Sequence, residues 1–186
     1  MIRNINRHVI PECYLDTSLV ETIVPPDEIG RIRVYNHQFG FPSVVKEMKE
    51  EFADNFAVGI VDQDKVPVKY LFEFKEPLVI KLGLQLFKHP HKNHYFIVHP
   101  PLERWLIDEA RQVGIALDDA AYNLPTTLNE LTKASKQEFS KKDPRFKRLF
   151  RDLKKANAAG IMLLSHWLAH LKANPYNANI NTLRNL

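Results

Sequence analysis

The chain has 186 residues, 45% of them apolar and 26% charged, with a net charge of +4. That length buries one real core, and the composition excludes a disordered, collagenous or repetitive chain. No stretch reaches the ~20 apolar residues of a membrane span, the first residues lack the apolar core of a signal peptide, and the single Cys13 forms no intrachain disulfide, so a cytoplasmic location is expected.

Residues 12–16, Glu-Cys-Tyr-Leu-Asp, read as a short first strand. Asp16-Thr17-Ser18 then reads as a helix start, followed by apolar Leu19, Val20, Ile23 and Val24 and ended by Pro25-Pro26. A second strand is expected over 31–35, with Asn36 to Gly40 as its exit loop. Pro42-Ser43 opens an amphipathic helix, with Val44, Val45, Met48 and Phe52 on one face. Phe56 to Val61 is a continuous apolar run, the pattern of a strand buried on both faces at the centre of a parallel sheet. It stops at Asp62-Gln63-Asp64-Lys65.

Residues 78–82 and 94–98 read as strands, and the stretch between them, with His89, Pro90 and His91, as an exposed loop. Pro100-Pro101 leads into a helix over 102–113. The last third is helical: about 126–138, a helix after Asp143-Pro144 where Pro suits the first position, and about 158–173. The tail from Asn174 reads as irregular or as a short final helix. Strands alternating with helices predict an α/β protein: a small, mainly parallel sheet flanked by helices, with a C-terminal helical extension.

In such folds sites form outside the carboxyl ends of the strands. Acids cluster near the expected strand exits: Asp16, with Glu21 about one helical turn later, then Asp62 and Asp64, then Glu103 after Pro100-Pro101. Hard cations take oxygen ligands and keep several waters, so two or three carboxylates suffice. Each acid also has a plainer reading. Asp-x-Asp after a strand is ordinary turn chemistry, Asp16 suits a helix N-cap, and Glu103 suits the first turn of a helix. Basicity lies elsewhere: residues 136–155 hold nine Lys or Arg against three Asp or Glu. A cation site beside a basic surface suits a polyanion.

This order of features resembles the TOPRIM fold of primases, topoisomerases and the OLD-family and related phage-defence nucleases. The residues that carry it are Tyr14-Leu15-Asp16, Glu21, Gly40, the helix at 43–53 and Val58 to Asp64, together with the proline-preceded Leu102-Glu103. The family's first acid is a Glu followed by Gly; here Asp16 is followed by Thr17. Tyr14-Leu15-Asp16-Thr17-Ser18-Leu19 also resembles the opening of PIN-domain ribonucleases, whose Asp binds Mg²⁺. The TOPRIM resemblance implies an α/β domain over 1–115 with a helical region, 116–186, packed on it. Either resemblance implies a phosphodiesterase dependent on Mg²⁺ or Mn²⁺.

The expected metal ligands are Asp16, Asp62 and Asp64, with Glu21 and Glu103 joining them as catalytic acids. His37, Lys65, Lys147, Arg148 and Arg151 are the expected nucleic-acid contacts. The expected partner is nucleic acid, with a protein partner or a second copy also open, and no membrane. The alternative function is a non-catalytic nucleic-acid-binding or assembly subunit that keeps the fold. Of the remaining histidines, His89-x-His91-x-x-His94 has the spacing of a Zn²⁺ or Ni²⁺ site or a phosphate contact, and Lys88, Pro90 and Lys92 favour a plain exposed loop. His166 and His170, four apart on one helix, read as surface or half-buried.

Overall fold

A computed structural model describes residues 4–28, 34–63, 68–136 and 138–186. It contains a five-stranded sheet in the order β1-β2-β5-β4-β3. The strands are β1 (Val9–Pro11), β2 (Ala57–Asp62), β3 (Val79–Lys81), β4 (Leu84–Lys88) and β5 (His94–His99). β1, β2 and β5 run parallel; the β3–β4 hairpin adds antiparallel at the other edge. The helices are α1 (Tyr14–Ile23), α2 (Phe41–Glu47, continued as a π-helical turn Met48–Phe52), α3 (Leu102–Gln112), α4 (Leu128–Ser135), α5 (Pro144–Lys155), α6 (Ala159–Ala173) and α7 (Ile180–Asn185). The chain is thus α/β, with helices on both sheet faces and a helical C-terminal third.

β2 is the middle of the three parallel strands, and it is apolar on both faces. Val58 and Ile60 point into a core shared with Leu15 and Leu19 of α1, Trp105 of α3, Phe150 of α5 and Trp167 of α6. Ala57 and Val61 point the other way, toward Phe41, Val44 and Met48 of α2 and Phe74. The period of two divides the strand between these cores. Gly59 sits where a side chain has no room: a Cβ there would lie 2.6 Å from Phe96 Cε1 and 2.9 Å from Val44 Cγ1.

The first core crosses the expected boundary at 115. Phe146, Leu149, Phe150 and Leu153 of α5 are fully buried and belong to the same cluster as the sheet residues. Among the described residues, no helix is long and apolar enough to cross a membrane.

Several expected elements are corrected. The first strand is Val9–Pro11, and residues 14–16, expected in a strand, open α1. The apolar stripe of α1 runs back through Leu15, Leu19 and Ile23, a helical spacing, and Cys13 caps the helix, its Sγ accepting from Asp16 N at 3.4 Å. Of the expected strand at 31–35, residues 31–33 lie outside the described residues; Val34 and Tyr35 are not in a strand. β4 occupies part of what reads as a loop. Its signal is Leu84 and Leu86 facing one core and Phe87 the other. The two-residue turn before it, Leu82-Gly83, holds both residues at positive φ, 53° and 79°. Such turns normally carry Asn or Gly at the first position, so Leu82 hides the hairpin.

Candidate metal centre

The carboxyl ends of the three parallel strands meet at one edge. Asp62 and His99, the last residues of β2 and β5, are register partners. After β1 the chain turns through Glu12 and Cys13 into α1, whose first turn carries Asp16 to the same edge. One ligand atom from each of Asp16, Asp62 and His99 lies within 4.8 Å of the others.

His99 Nδ1 lies 2.8 Å from the Pro100 carbonyl oxygen. A carbonyl only accepts, so Nδ1 carries the proton. Nε2 lies 3.3 Å from Asp16 Oδ1, and Nδ1 lies 3.1 Å from Asp62 Oδ1. No hydrogen bond forms across either gap: both Asp16 carboxylate oxygens, Asp62 Oδ1 and His99 Nε2 are buried without a hydrogen-bond partner. Asp16 is 1% exposed and His99 equally buried. The indole of Trp105 stacks on the imidazole at 6.0 Å and fixes its plane.

Four converging polar atoms without hydrogen-bond partners carry a desolvation cost that a positive charge among them offsets. Burial alone would push the His99 imidazole down, but the Asp16 and Asp62 carboxylates outweigh it and hold His99 well above its usual range. The pocket therefore favours positive charge. The spacing suits a metal ion as well. Two ligands on one ion at about 2.1 Å stand roughly 3.0 Å apart at right angles and roughly 3.4 Å apart at the tetrahedral angle. The observed 3.3 Å between Oδ1 and Nε2 falls between them.

Asp62 is the ligand that reaches solvent, its side chain 35% exposed. It lines a cleft of about 1070 Å³ together with Tyr14, Glu103, Thr132, Lys133 and Lys136. Glu12, directly after β1, braces this edge. Its Oε2 accepts from Asp62 N at 3.0 Å and its Oε1 from Phe41 N at the start of α2, also at 3.0 Å. The backbone of Glu12 bonds to Ile60 O and from Gly40 N.

The expected site residues separate into groups. Asp16 and Asp62 come together. Asp64 and Lys65 lie outside the described residues. Glu21 turns away: it accepts from Tyr35 N at 3.1 Å and pairs with Lys141 at 3.7 Å. Glu103 lines the cleft and accepts a short hydrogen bond from the Ser135 hydroxyl, which ties α3 to α4. His37 stacks on Tyr14 with ring centroids 4.5 Å apart, its Nδ1 2.8 Å from Thr17 Oγ1. Burial, then Lys141, pushes its imidazole down.

Lys147, Arg148 and Arg151 lie on α5, with both arginines exposed. Arg148 Nη1 donates to Ala121 O and Arg151 Nε to Lys147 O. Among the described residues, the cations that line the cleft are Lys133 and Lys136. The histidines at 89 and 94 correct the exposed-loop expectation: both are buried, amid Tyr70, Phe74 and Phe96. His166 is exposed and His170 half-buried.

The sequence sets His99 only beyond the His89-x-His91-x-x-His94 motif and Glu12 only inside the expected first strand, and neither is among the expected site residues. The signal for His99 is its position as the last residue of an apolar strand, before Pro100, which parallels Asp62 at the end of β2. Glu12 was masked by its placement inside the expected strand. No family model, curated protein or solved structure matches the chain.

Proposed function

We propose that the chain is a metal-dependent nuclease that hydrolyses phosphodiester bonds at the Asp16–Asp62–His99 centre. The observation that carries this reading is the convergence of four unpartnered, buried ligand atoms at the strand ends, beside an open cleft with lysines on its wall.

A bound divalent ion supplies Lewis-acid activation of water and charge stabilisation on phosphate. Asp16 and His99, both buried and the latter stacked on Trp105, would anchor the ion. Asp62 faces the cleft and meets the substrate side. Lys133 and Lys136 offset the charge of an incoming phosphate. Of Mg²⁺ and Mn²⁺, the imidazole arm favours Mn²⁺, because Mg²⁺ selects oxygen ligands.

The test is incubation of purified protein with labelled RNA and DNA, single- and double-stranded, under Mn²⁺, Mg²⁺ and chelator. Product that requires metal and disappears in Asp62→Asn supports the reading. Metal binding with no cleavage of any substrate overturns it in favour of a non-catalytic nucleic-acid-binding or assembly subunit.

A further inference from the structure

Beside the metal centre, three rings form an ordered and partly exposed group. Tyr14 and His37 stack nearly parallel, 16° apart. Phe39 stands edge-on to both, 5.4 Å from Tyr14 and 4.6 Å from His37. Phe39 is 67% exposed. An aromatic side chain left in water, yet held by two edge contacts, is an unused apolar face at a fixed angle.

The group is tied rigidly to the centre. The Thr17 hydroxyl donates to Cys13 O at 2.7 Å and so receives the His37 Nδ1 proton at 2.8 Å. Thr17 adjoins Asp16 in the first turn of α1, and Tyr14 also lines the cleft that Asp62 faces. Residues 13–17 therefore supply one of the rings, Tyr14, one of the metal ligands, Asp16, and the hydroxyl that holds His37, and lysines lie on the cleft wall. A chain carrying both phosphates and flat bases fits this pairing. Bases within a duplex are already stacked on each other and cannot reach such a face, whereas unpaired bases stack on exposed aromatic rings whatever their sequence.

We propose that Phe39, braced by Tyr14 and His37, is a stacking platform for an unpaired base, so that the cleft takes single-stranded nucleic acid. This rests on the nuclease reading for its setting but is measured without catalysis. The probes are a labelled single strand, the same strand with abasic sites, and its duplex, titrated by fluorescence anisotropy into the full chain with chelator present. The intact single strand should bind most tightly. Phe39→Ala should weaken it roughly 5- to 150-fold, the range for losing one stacked base, Phe39→Leu nearly as much, and Phe39→Trp little or not at all.

Equal binding of the abasic strand or the duplex overturns the platform, as does no binding at all. Wild-type affinity in Phe39→Leu also overturns it, because an apolar contact for a protein partner tolerates Leu and a stacking face does not. Tight, Phe39-dependent binding without metal-dependent cleavage keeps the platform and removes the nuclease. Metal-dependent cleavage with binding insensitive to Phe39 does the reverse.

Discussion

Metal binding at the strand-end centre sets a measurable stability shift. An ion that binds only the folded chain stabilises it by RT ln(1 + [L]/Kd), about 2.7 kcal/mol at a hundredfold excess over Kd. For a chain of this length each kcal/mol moves Tm by about 2–4 °C, so saturating Mn²⁺ should raise it by roughly 5–11 °C. Asp62→Asn removes a charged ligand but leaves its backbone N–H bonded to Glu12. If the substitution weakens binding a hundredfold, the same Mn²⁺ concentration only equals Kd, and the stabilisation falls to about 0.4 kcal/mol, or roughly 1 °C. Asp16→Asn and His99→Gln should behave alike, because all three groups converge on one point. Differential scanning fluorimetry with Mn²⁺, Mg²⁺ and chelator reads the effect, and Mn²⁺ should give the larger shift. A full shift in both Asp62→Asn and Asp16→Asn would show that the ion binds elsewhere.

Glu12→Ala leaves Phe41 N and Asp62 N without their acceptor and should cost about 2 kcal/mol in denaturant unfolding; a loss under about 0.5 kcal/mol counts against the brace. Gly160→Ala places a Cβ 2.5 Å from Glu109 Oε1 and 2.9 Å from Trp105. Glu109 is buried and accepts from Gly160 N and Ile161 N at the start of α6. The substitution should therefore destabilise by about 1–3 kcal/mol, although Ala ordinarily favours a helix by about 1 kcal/mol; a more stable variant reverses the conclusion. His94 is buried, 2.6 Å from the Tyr70 hydroxyl, and burial pushes its pKa down to about 4. The unfolded chain takes up that proton near pH 6.5 and the folded chain does so only near 4. Stability should thus fall by about 3 kcal/mol as pH drops through that window. His94→Asn should flatten the pH profile, and an equally steep profile in the variant would assign the loss to other groups.

The sequence by itself determined much of the secondary structure and the fold class. Six consecutive apolar residues before Asp62 leave no polar face, so β2 had to lie inside the sheet with both faces covered. The stripes of α3 and α5 follow the helical period closely enough to be read without a partner, and α6 is legible as a long, strongly apolar run. Asp16 and Asp62 were legible as site residues because acids at element ends stand out against apolar runs. Where local signals competed, the tertiary structure decided. Residues 14–16 have strand-like composition, yet Leu15 completes the apolar face of α1 and buries against the sheet, so the helix wins. Leu82 and Gly83 adopt a turn that Leu alone does not announce, which makes β4 visible only once it pairs with β5. His99 became a candidate ligand through registry: β5 must lie parallel beside β2 before its last residue meets Asp62. Glu21 and Arg148 are drawn elsewhere for a related reason, since their partners, Tyr35 and Lys141 for Glu21 and Ala121 for Arg148, are distant in sequence. Periodicity and end signals are local properties that a chain carries with it, whereas a site drawn from two strand ends and the first turn of a helix exists only after the sheet has chosen its order.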